Sequence, residues 1–434
     1  MTPAARLSAA IEVLTDIEER RRPAADAIKD WGLAHRFAGS GDRAAVAGLV
    51  YDTLRRRASA GWIMGEGTPR ATLLGMLRLE RGLDLDAIAA LADGARFAPA
   101  PLSADERTRL AGASLADAPA PVAGDYPDWL DAHFARAFGD ERAAELAALA
   151  ARAPLDLRVN TLKADRDKAA AALSGLGAEP TRWSPIGLRI RLAAAAKSPA
   201  VHAEPAFLKG MVEVQDEGSQ LAALLAGAAR GNQVIDLCAG AGGKSLALAA
   251  AMENHGQIYA TDSDKRRLAP IHARLERAGP RNVQVRTPRG DADVLSDLAG
   301  RADLVLIDAP CTGIGVWRRN PDAKWRVRPG ALEQRRKEQE AALDRAAPLA
   351  KPGGRIAYVT CSVLAEENDD QVRQFLARHP GFAVVPPAQV CEALGERAYL
   401  FRRAVLMSEH GLQMTPLRTD TDGFFVSVLR KSAE

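Results

Sequence analysis

The 434-residue sequence predicts a multi-domain α + α/β protein, and three observations carry that class. From Val212 onward, short apolar runs alternate with stretches of helical pattern, the signature of βαβ units around a mainly parallel sheet. Residues 1 to about 112 are rich in Ala, Leu and Arg and carry helical periodicity. Between these parts, from Trp129 to about Gly210, two alternating runs flank a helical stretch, as in a small α/β module.

Leu7, Ile11, Leu14 and Ile17 recur at spacings of three and four, so one face of the first helix is apolar. Ala45, Leu49, Tyr51 and Leu54 repeat the pattern, and the region reads as a helical bundle without chemistry of its own. SLADAPAPVAGDYPD (114–128) breaks it and marks a linker. LDLRVNTL (155–162) and GLRIRLA (187–193) alternate like half-buried strands, with a helix over 168–176 between them. The parallel sheet is expected from VIDL (234–237), IYAT (258–261), VQVR (283–286), LVLID (304–308) and IAYVT (356–360). FFVSVLR (424–430) is the last strand. The domains are drawn at 1–125, 126–210 and 211–434.

Apolar residues at 47% and charged residues at 26% are ordinary globular usage. A net charge of +3 is too mild to identify a nucleic-acid binder, so any basic surface must be local. The cysteines at 238, 311, 361 and 391 include no CxxC, which argues against a zinc ribbon or disulfide framework and for a reducing cytosol. No metal site is expected. No run of 18 apolar residues and no signal-like N-terminus occur, so a cytoplasmic protein without a membrane partner is expected.

In open parallel sheets the ligand sits beyond the carboxyl ends of the strands, so the residues just past each strand matter most. After the first comes DLCAGAGGKS (236–245), whose Gly240, Gly242 and Gly243 permit a tight turn at a helix start. Gly243-Lys244-Ser245 fits the end of a P-loop, but that motif's first glycine falls on Cys238, and GxGxxG is absent. After the second strand Asp262 is placed to hold ribose hydroxyls, with Asp264 as a helix cap. Together these favour a ribose-bearing cofactor without a phosphate chain.

DAPCTGIG (308–315) and TCS (360–362) place Cys311 and Cys361 just past two strands of one sheet, where both can face one cleft. Cys238 and Cys391 read as small buried hydrophobes. Methylation of C5 of a pyrimidine gives two thiols, an acid and a cofactor pocket a purpose. Thiolate addition at C6 makes C5 nucleophilic, an acid near N3 stabilises the adduct, and loss of the C5 proton releases the thiol. The segment 317–337 adds eight Lys or Arg and two tryptophans, a composition suited to phosphate contact and base stacking. Arg335, Arg336 and Lys337 read as a solvated helix face, whereas Arg318, Arg319, Lys324 and Trp325 read as RNA contacts.

The set DLCAGAGGK, DAPCTGIGVWRRNPDAKW, TCSVLAEEN and DGFF resembles the Sun/Fmu (RsmB-like) family of RNA cytosine-5 methyltransferases. VQDEGSQL (214–221) and LRVNTLK (157–163) resemble further family segments, and GDRAAVAGLVYDTLRRR (41–57) resembles the NusB-like domain of its ribosomal RNA members. The likeness is weakest across 65–125 and 385–415. It implies an all-helical NusB-like RNA-binding domain, a small α/β RNA-recognition module and a Rossmann-like methyltransferase domain. It further implies S-adenosylmethionine as cofactor, 16S ribosomal RNA, free or partly assembled, as partner and substrate, and no obligatory protein partner.

The resemblance makes Cys361 the nucleophile, Cys311 the residue that assists release, and Asp308 a contact to the target cytosine and the methyl-donor region. Without it the residues do not order the two cysteines. Cys238, Ala239, Gly240, Ala241, Gly242, Gly243 and Lys244 would line the cofactor, with Asp262 on its ribose. Asp291 is the candidate for the adenine, with Asp293 as the alternative. Arg158, Asn160 and Lys163 of LRVNTLK join the expected RNA contacts. Ala241 stands where the family usually has proline.

Overall fold

The computed structural model describes residues 1–192, 198–290 and 292–433, so Ala193 of the expected GLRIRLA strand and Asp291 lie outside the described residues. The chain folds as two compact units. One is Met1–Arg152 with Trp317–Val327, and the other is Ala153–Leu192, Ser198–Val316 and Arg328–Glu434. This division differs from the composition-based cuts at 125 and 210. No helix among the described residues is long and apolar enough to cross a membrane.

The first unit is helical. Thr2 caps and Pro3 opens a helix to Arg20 that buries Leu7, Ala10, Val13 and Leu14. Ile11 and Ile17, expected on that face, are only half-buried, because the alanines let neighbouring helices approach closely. The helix Ser40–Arg55 likewise buries Val46, Val50 and Leu54, while Ala45, Leu49 and Tyr51 lie at the edge of the contact.

The expected linker 114–128 is mostly exposed as far as Pro119, but its later part packs, with Gly124, Asp125 and Tyr126 buried. Asp125 is buried and accepts hydrogen bonds from the Ala58 and Ser59 amides at 3.0 and 2.9 Å and from the Ser59 hydroxyl at 2.7 Å. It thereby satisfies the first free N–H groups of the helix Arg57–Met64 from a distant part of the chain.

The segment Trp317–Val327 belongs to this unit and overturns part of the RNA reading. Lys324 is buried and donates to the Arg55 carbonyl at 2.7 Å, and the Trp325 indole donates to the Leu54 carbonyl at 2.7 Å. Those are terminal carbonyls of the helix Ser40–Arg55, where a cation also complements the helix dipole. Trp317 and Arg318 are buried too, and the Arg318 carbonyl accepts from the Arg55 guanidinium. Lys324 and Trp325 are therefore caps of a helix, and Lys324 and Arg318 present no side chain to a ligand. Arg319 is half-buried.

Burial pushes the Lys324 ammonium down to about 7. Between that value and the unfolded value near 10.5 the unfolded chain binds the extra proton, so stability rises with pH across that window. Lys324→Met is expected to flatten this rise by about 2 kcal/mol between pH 7 and pH 9, read from urea unfolding of both proteins at each pH. Equal slopes in the two proteins would show that Lys324 is not buried as an ammonium.

The second unit opens with a four-stranded antiparallel sheet in the order β2-β3-β1-β4. Its strands are β1 (Leu155–Val159), β2 (Glu179–Pro180), β3 (Gly187–Ile190) and β4 (Val212–Val214), with the helix Arg166–Ala172 between β1 and β2. Of the RNA contacts expected here, Arg158 and Asn160 are buried and Lys163 is exposed. Asn160 is buried and donates to the Gly210 and Ala278 carbonyls at 2.9 and 2.8 Å. Lys163 donates to the Lys209 and Arg277 carbonyls at 2.9 and 2.6 Å. Arg277 and Ala278 end the helix Ile271–Ala278, so this pair, too, caps a helix C-terminus. Arg158 is buried on Gln215 at 2.6 Å. Asn160 and Lys163 thereby tie the small sheet to the helix Ile271–Ala278 of the larger α/β part.

That larger sheet holds β5 (Gln233–Asp236), β6 (Gln257–Ala260), β7 (Val283–Val285), β8 (Ala302–Asp308), β9 (Ala350–Thr360), β10 (Phe382–Val384), β11 (Leu406–Met407), β12 (Leu412–Met414) and β13 (Phe424–Lys431). The order is β11-β12-β13-β9-β8-β5-β6-β7, with β10 also on β13. β5 to β9 run parallel and β13 runs antiparallel to β9. Every strand expected from 234 onward is present. β5 lies between β6 and β8, so chain order reverses there, and the loops after β5, β8 and β9 share one edge.

Candidate active site

The glycine loop follows β5. Gly240 and Gly242 have φ of +50° and +80°, a region that suits residues without a Cβ, and a Cβ on Gly242 would stand 2.4 Å from Ile271. The Ala241 carbonyl accepts from Arg274 at 3.0 Å. Asp262, just after β6, accepts from the Gly240 amide at 2.9 Å and from the Asp264 amide at 2.9 Å. Asp264 caps its helix through the Arg266 amide, as expected.

Three carboxylates gather here. Asp236, at the end of β5, is fully buried, with one oxygen held by the Ser245 hydroxyl at 2.6 Å and the other, Oδ1, without a hydrogen-bond partner among the described residues. Burial, reinforced by Asp308 and Asp262, pushes its carboxyl up to about 7 against the Ser245 hydrogen bond and Lys244. The Cys238 thiol is pushed up by burial and then by the same three acids, which makes it an inert wall. Lys244, at the helix start, is buried, donates to Asp308 Oδ2 at 2.6 Å and lies 5.1 Å from the Phe424 ring centroid. A lysine held by a carboxylate, beside two further acids, suits a cationic ligand and repels a phosphate chain, which disposes of the P-loop alternative.

β8 and β9 are parallel neighbours with Asp308 opposite Val359, so the segments that leave them run side by side. Cys311 and Cys361 meet there with their sulfurs 3.3 Å apart. The hydrogen bond to Cys361 holds the Cys311 thiol well above the ordinary range, and burial and the nearby Glu367 charge act in the same direction. The two sulfurs are within hydrogen-bond reach of each other, and either thiol can be the donor.

Glu367, which the residue-by-residue reading passed over, ties the two cysteine loops together. Its buried carboxylate accepts from the Thr312 amide at 2.8 Å, the Thr312 hydroxyl at 2.5 Å, the Ser362 hydroxyl and Gln339 Nε2 at 3.0 Å. Thr312 follows Cys311 and Ser362 follows Cys361, so one carboxylate anchors both neighbours. Burial holds its carboxyl above the ordinary range, opposed by those same donors. The Gly315 amide donates to the Cys361 carbonyl at 2.9 Å, and Gly423 donates to Gly315 at 2.8 Å. A Cβ on Gly315 would stand 2.0 Å from the Gly423 carbonyl, so the DGFF loop locks against the first two at backbone contact.

Thus Cys311, Cys361, Asp308, Lys244, Cys238 and Asp262 lie on loops of one sheet edge. Asp293 is exposed, accepts from the Leu295 amide at 3.1 Å and pairs with Arg345 at 3.4 Å.

Comparison with known proteins follows the same lines. A family model described as 16S rRNA methyltransferase RsmB/F matches residues 223–430, and one described as an RsmF/B-like ferredoxin-like domain matches residues 126–196. The probable ribosomal RNA small subunit methyltransferase B of Synechocystis sp. is 30% identical over 310 residues, which cover 71% of this chain and 67% of that protein. The ribosomal RNA small subunit methyltransferase B of Citrobacter koseri is 33% identical over 314 residues, covering 70% and 66%. The matched region is therefore about two thirds of the length of these relatives. Among solved structures, PH0851 has a TM-score of 0.69 at 25% identity over 99% of both chains. NSun6 from Pyrococcus horikoshii with SFG has a TM-score of 0.59 at 24% identity, over 71% of this chain and 98% of that one, a likeness of fold.

Proposed function

The chain belongs to the RsmB/F family of 16S rRNA methyltransferases, and from that membership we propose that it transfers a methyl group from S-adenosylmethionine to C5 of a cytosine in 16S ribosomal RNA. The observation that carries the reaction class is the pair of cysteine sulfurs 3.3 Å apart beside the Asp308–Lys244 pair.

S-adenosylmethionine fits the glycine-loop end of this cleft. The partnerless Asp236 Oδ1 and the acids at 262 and 308 suit a cationic ligand, and Asp262 keeps acceptor capacity for ribose hydroxyls. When bound, the cofactor supplies an electrophilic methyl group on a sulfonium.

The protein's residues then divide the work. Cys361 bonds through sulfur to C6 of the cytosine, which turns C5 into an enamine-like nucleophile. Asp308, paired with Lys244, is assigned to the polar edge of the base, where an oxygen can accept a hydrogen bond from the N4 amino group and orient C6 towards Cys361. Once C5 carries the methyl group, a base, for which water suffices, takes the C5 proton, the C5–H electrons restore the C5=C6 double bond, and Cys361 leaves with the C6–S electron pair as a thiolate. Cys311, with its sulfur 3.3 Å from that of Cys361, serves that release by hydrogen-bonding the departing sulfur.

The test is a denaturing gel of Cys311→Ala incubated with S-adenosylmethionine and deproteinised 16S rRNA, beside wild type and the Cys311→Ala, Cys361→Ala double variant. A covalent RNA–protein band in Cys311→Ala that is absent from the double variant is expected. Loss of methylation in Cys311→Ala, with retention in Cys361→Ala, would reverse the two roles.

A smaller prediction concerns Ala241. Its own amide donates no hydrogen bond among the described residues, so a proline there would forfeit none. Ala241→Pro is expected to change S-adenosylmethionine affinity less than about threefold by calorimetric titration, and a larger loss would mean the loop needs a different backbone at 241.

A further inference from the structure

The helical unit carries a cleft of about 660 Å3 that none of its packing explains, between the first two helices and the loop 93–101. Its volume falls in the roughly 300–1,000 Å3 range of small-ligand sites. One wall is aromatic: Trp31 stacks on His35 at 4.7 Å, and His35 meets the edge of Phe37 at 5.7 Å. The opposite lip is Phe97. The two phenylalanines are 73% and 69% exposed, among the most exposed large apolar side chains described.

Phe97 also has φ of +72°, an outlier for a bulky residue. The Ser8 hydroxyl, donating to the Phe97 carbonyl at 2.9 Å, helps hold that backbone in place. The unit thus holds a strained residue whose ring it leaves mostly in water. Strain of this kind collects at ligand clamps.

Charge selects the occupant. Arg96 lies over the Phe97 ring at 4.9 Å, and Arg36 precedes Phe37. Both arginines are exposed, and neither has an ion pair among the described residues. Inside the cleft the one carboxylate, Glu12, already accepts from the Trp31 indole at 3.1 Å and lies 3.8 Å from His35 Nε2. Flat aromatic faces flanked by unpaired guanidinium groups match an unstacked base and its two phosphates. A hydrophobic peptide would use the rings but not the arginines.

We propose that the Phe37–Phe97 cleft binds an unstacked nucleotide of single-stranded RNA, with its base against the aromatic rings and its flanking phosphates on Arg36 and Arg96. This rests on the reading of the chain as an RNA methyltransferase and adds to it an anchoring site on the unit that lacks the cysteines.

Anisotropy titration of the full chain with a labelled single-stranded 20-mer and with its duplex tests it. Phe37→Ala and Phe97→Asn are each expected to weaken single-strand binding roughly fivefold or more, with duplex binding little changed. Asn tolerates the left-handed backbone, so Phe97→Asn leaves the loop intact. Arg36→Gln with Arg96→Gln is expected to lower the slope of log K against log salt by about 1 to 2. With 16S rRNA as substrate these variants should raise KM and leave kcat unchanged. RNA affinities equal to wild type in both phenylalanine variants would overturn the proposal and leave a protein-docking patch as the alternative. If wild type itself neither bound RNA nor transferred methyl groups, the methyltransferase reading would be the one to fail.

Discussion

Cys361→Ala is expected to lower single-turnover methyl transfer to 16S rRNA by on the order of 10^4-fold or more, the scale on which a covalent nucleophile is lost. The side chain is half-buried, so the substitution removes little packing, and thermal stability should stay close to wild type. Cys311 loses its sulfur neighbour but keeps its position, because Thr312 remains anchored on Glu367. The measurement is tritiated methyl incorporation with enzyme in excess. Residual activity within tenfold of wild type would mean that C5 is activated without a covalent bond to this residue.

The second large effect is expected at Glu367. Glu367→Ala leaves the Thr312 amide and hydroxyl, the Ser362 hydroxyl and the Gln339 amide without their buried acceptor. Each such loss costs about 1–3 kcal/mol, partly offset because a buried carboxylate's own desolvation penalty disappears. A net loss of about 3–5 kcal/mol in urea unfolding is expected, together with at least a hundredfold loss of methyl transfer as the two cysteine loops separate. Glu367→Gln keeps one acceptor oxygen and should fall between the two. A Glu367→Ala protein within 1 kcal/mol of wild type would show that the carboxylate does not clamp the loops.

The sheet was legible because its strands are short apolar runs and because ligand loops must follow their carboxyl ends. That logic pointed to Gly240, Asp262, Asp308, Cys311 and Cys361, which follow or end strands of a mainly parallel sheet, as expected. Glu367 was hidden for a different reason: Glu366 and Glu367 are adjacent and chemically alike, and only the fold shows which one turns inward. The RNA contacts expected at Arg158, Asn160, Arg318 and Lys324 are buried instead, and the reason is instructive. Lys324 with Trp325, and Lys163 with Asn160, lie on carbonyl oxygens at the ends of two helices. A cation on a carbonyl oxygen and a cation on a phosphate oxygen need the same residue types, so composition could not tell them apart. The aromatic cleft carried no sequence signal, since Phe37 and Phe97 are sixty residues apart and its mark is a backbone angle.

The assignment of Trp317–Val327 to the helical unit bears on how the protein is made. During synthesis the helix Ser40–Arg55 emerges early, but the Lys324 and Trp325 groups that satisfy its last carbonyls emerge only after most of the second unit's parallel strands. The unit that starts first on the ribosome is therefore among the last to be completed. A fragment ending at Arg152 would carry that unfinished helix end permanently, and co-expressing a peptide spanning 317–327 should restore what such a fragment lacks.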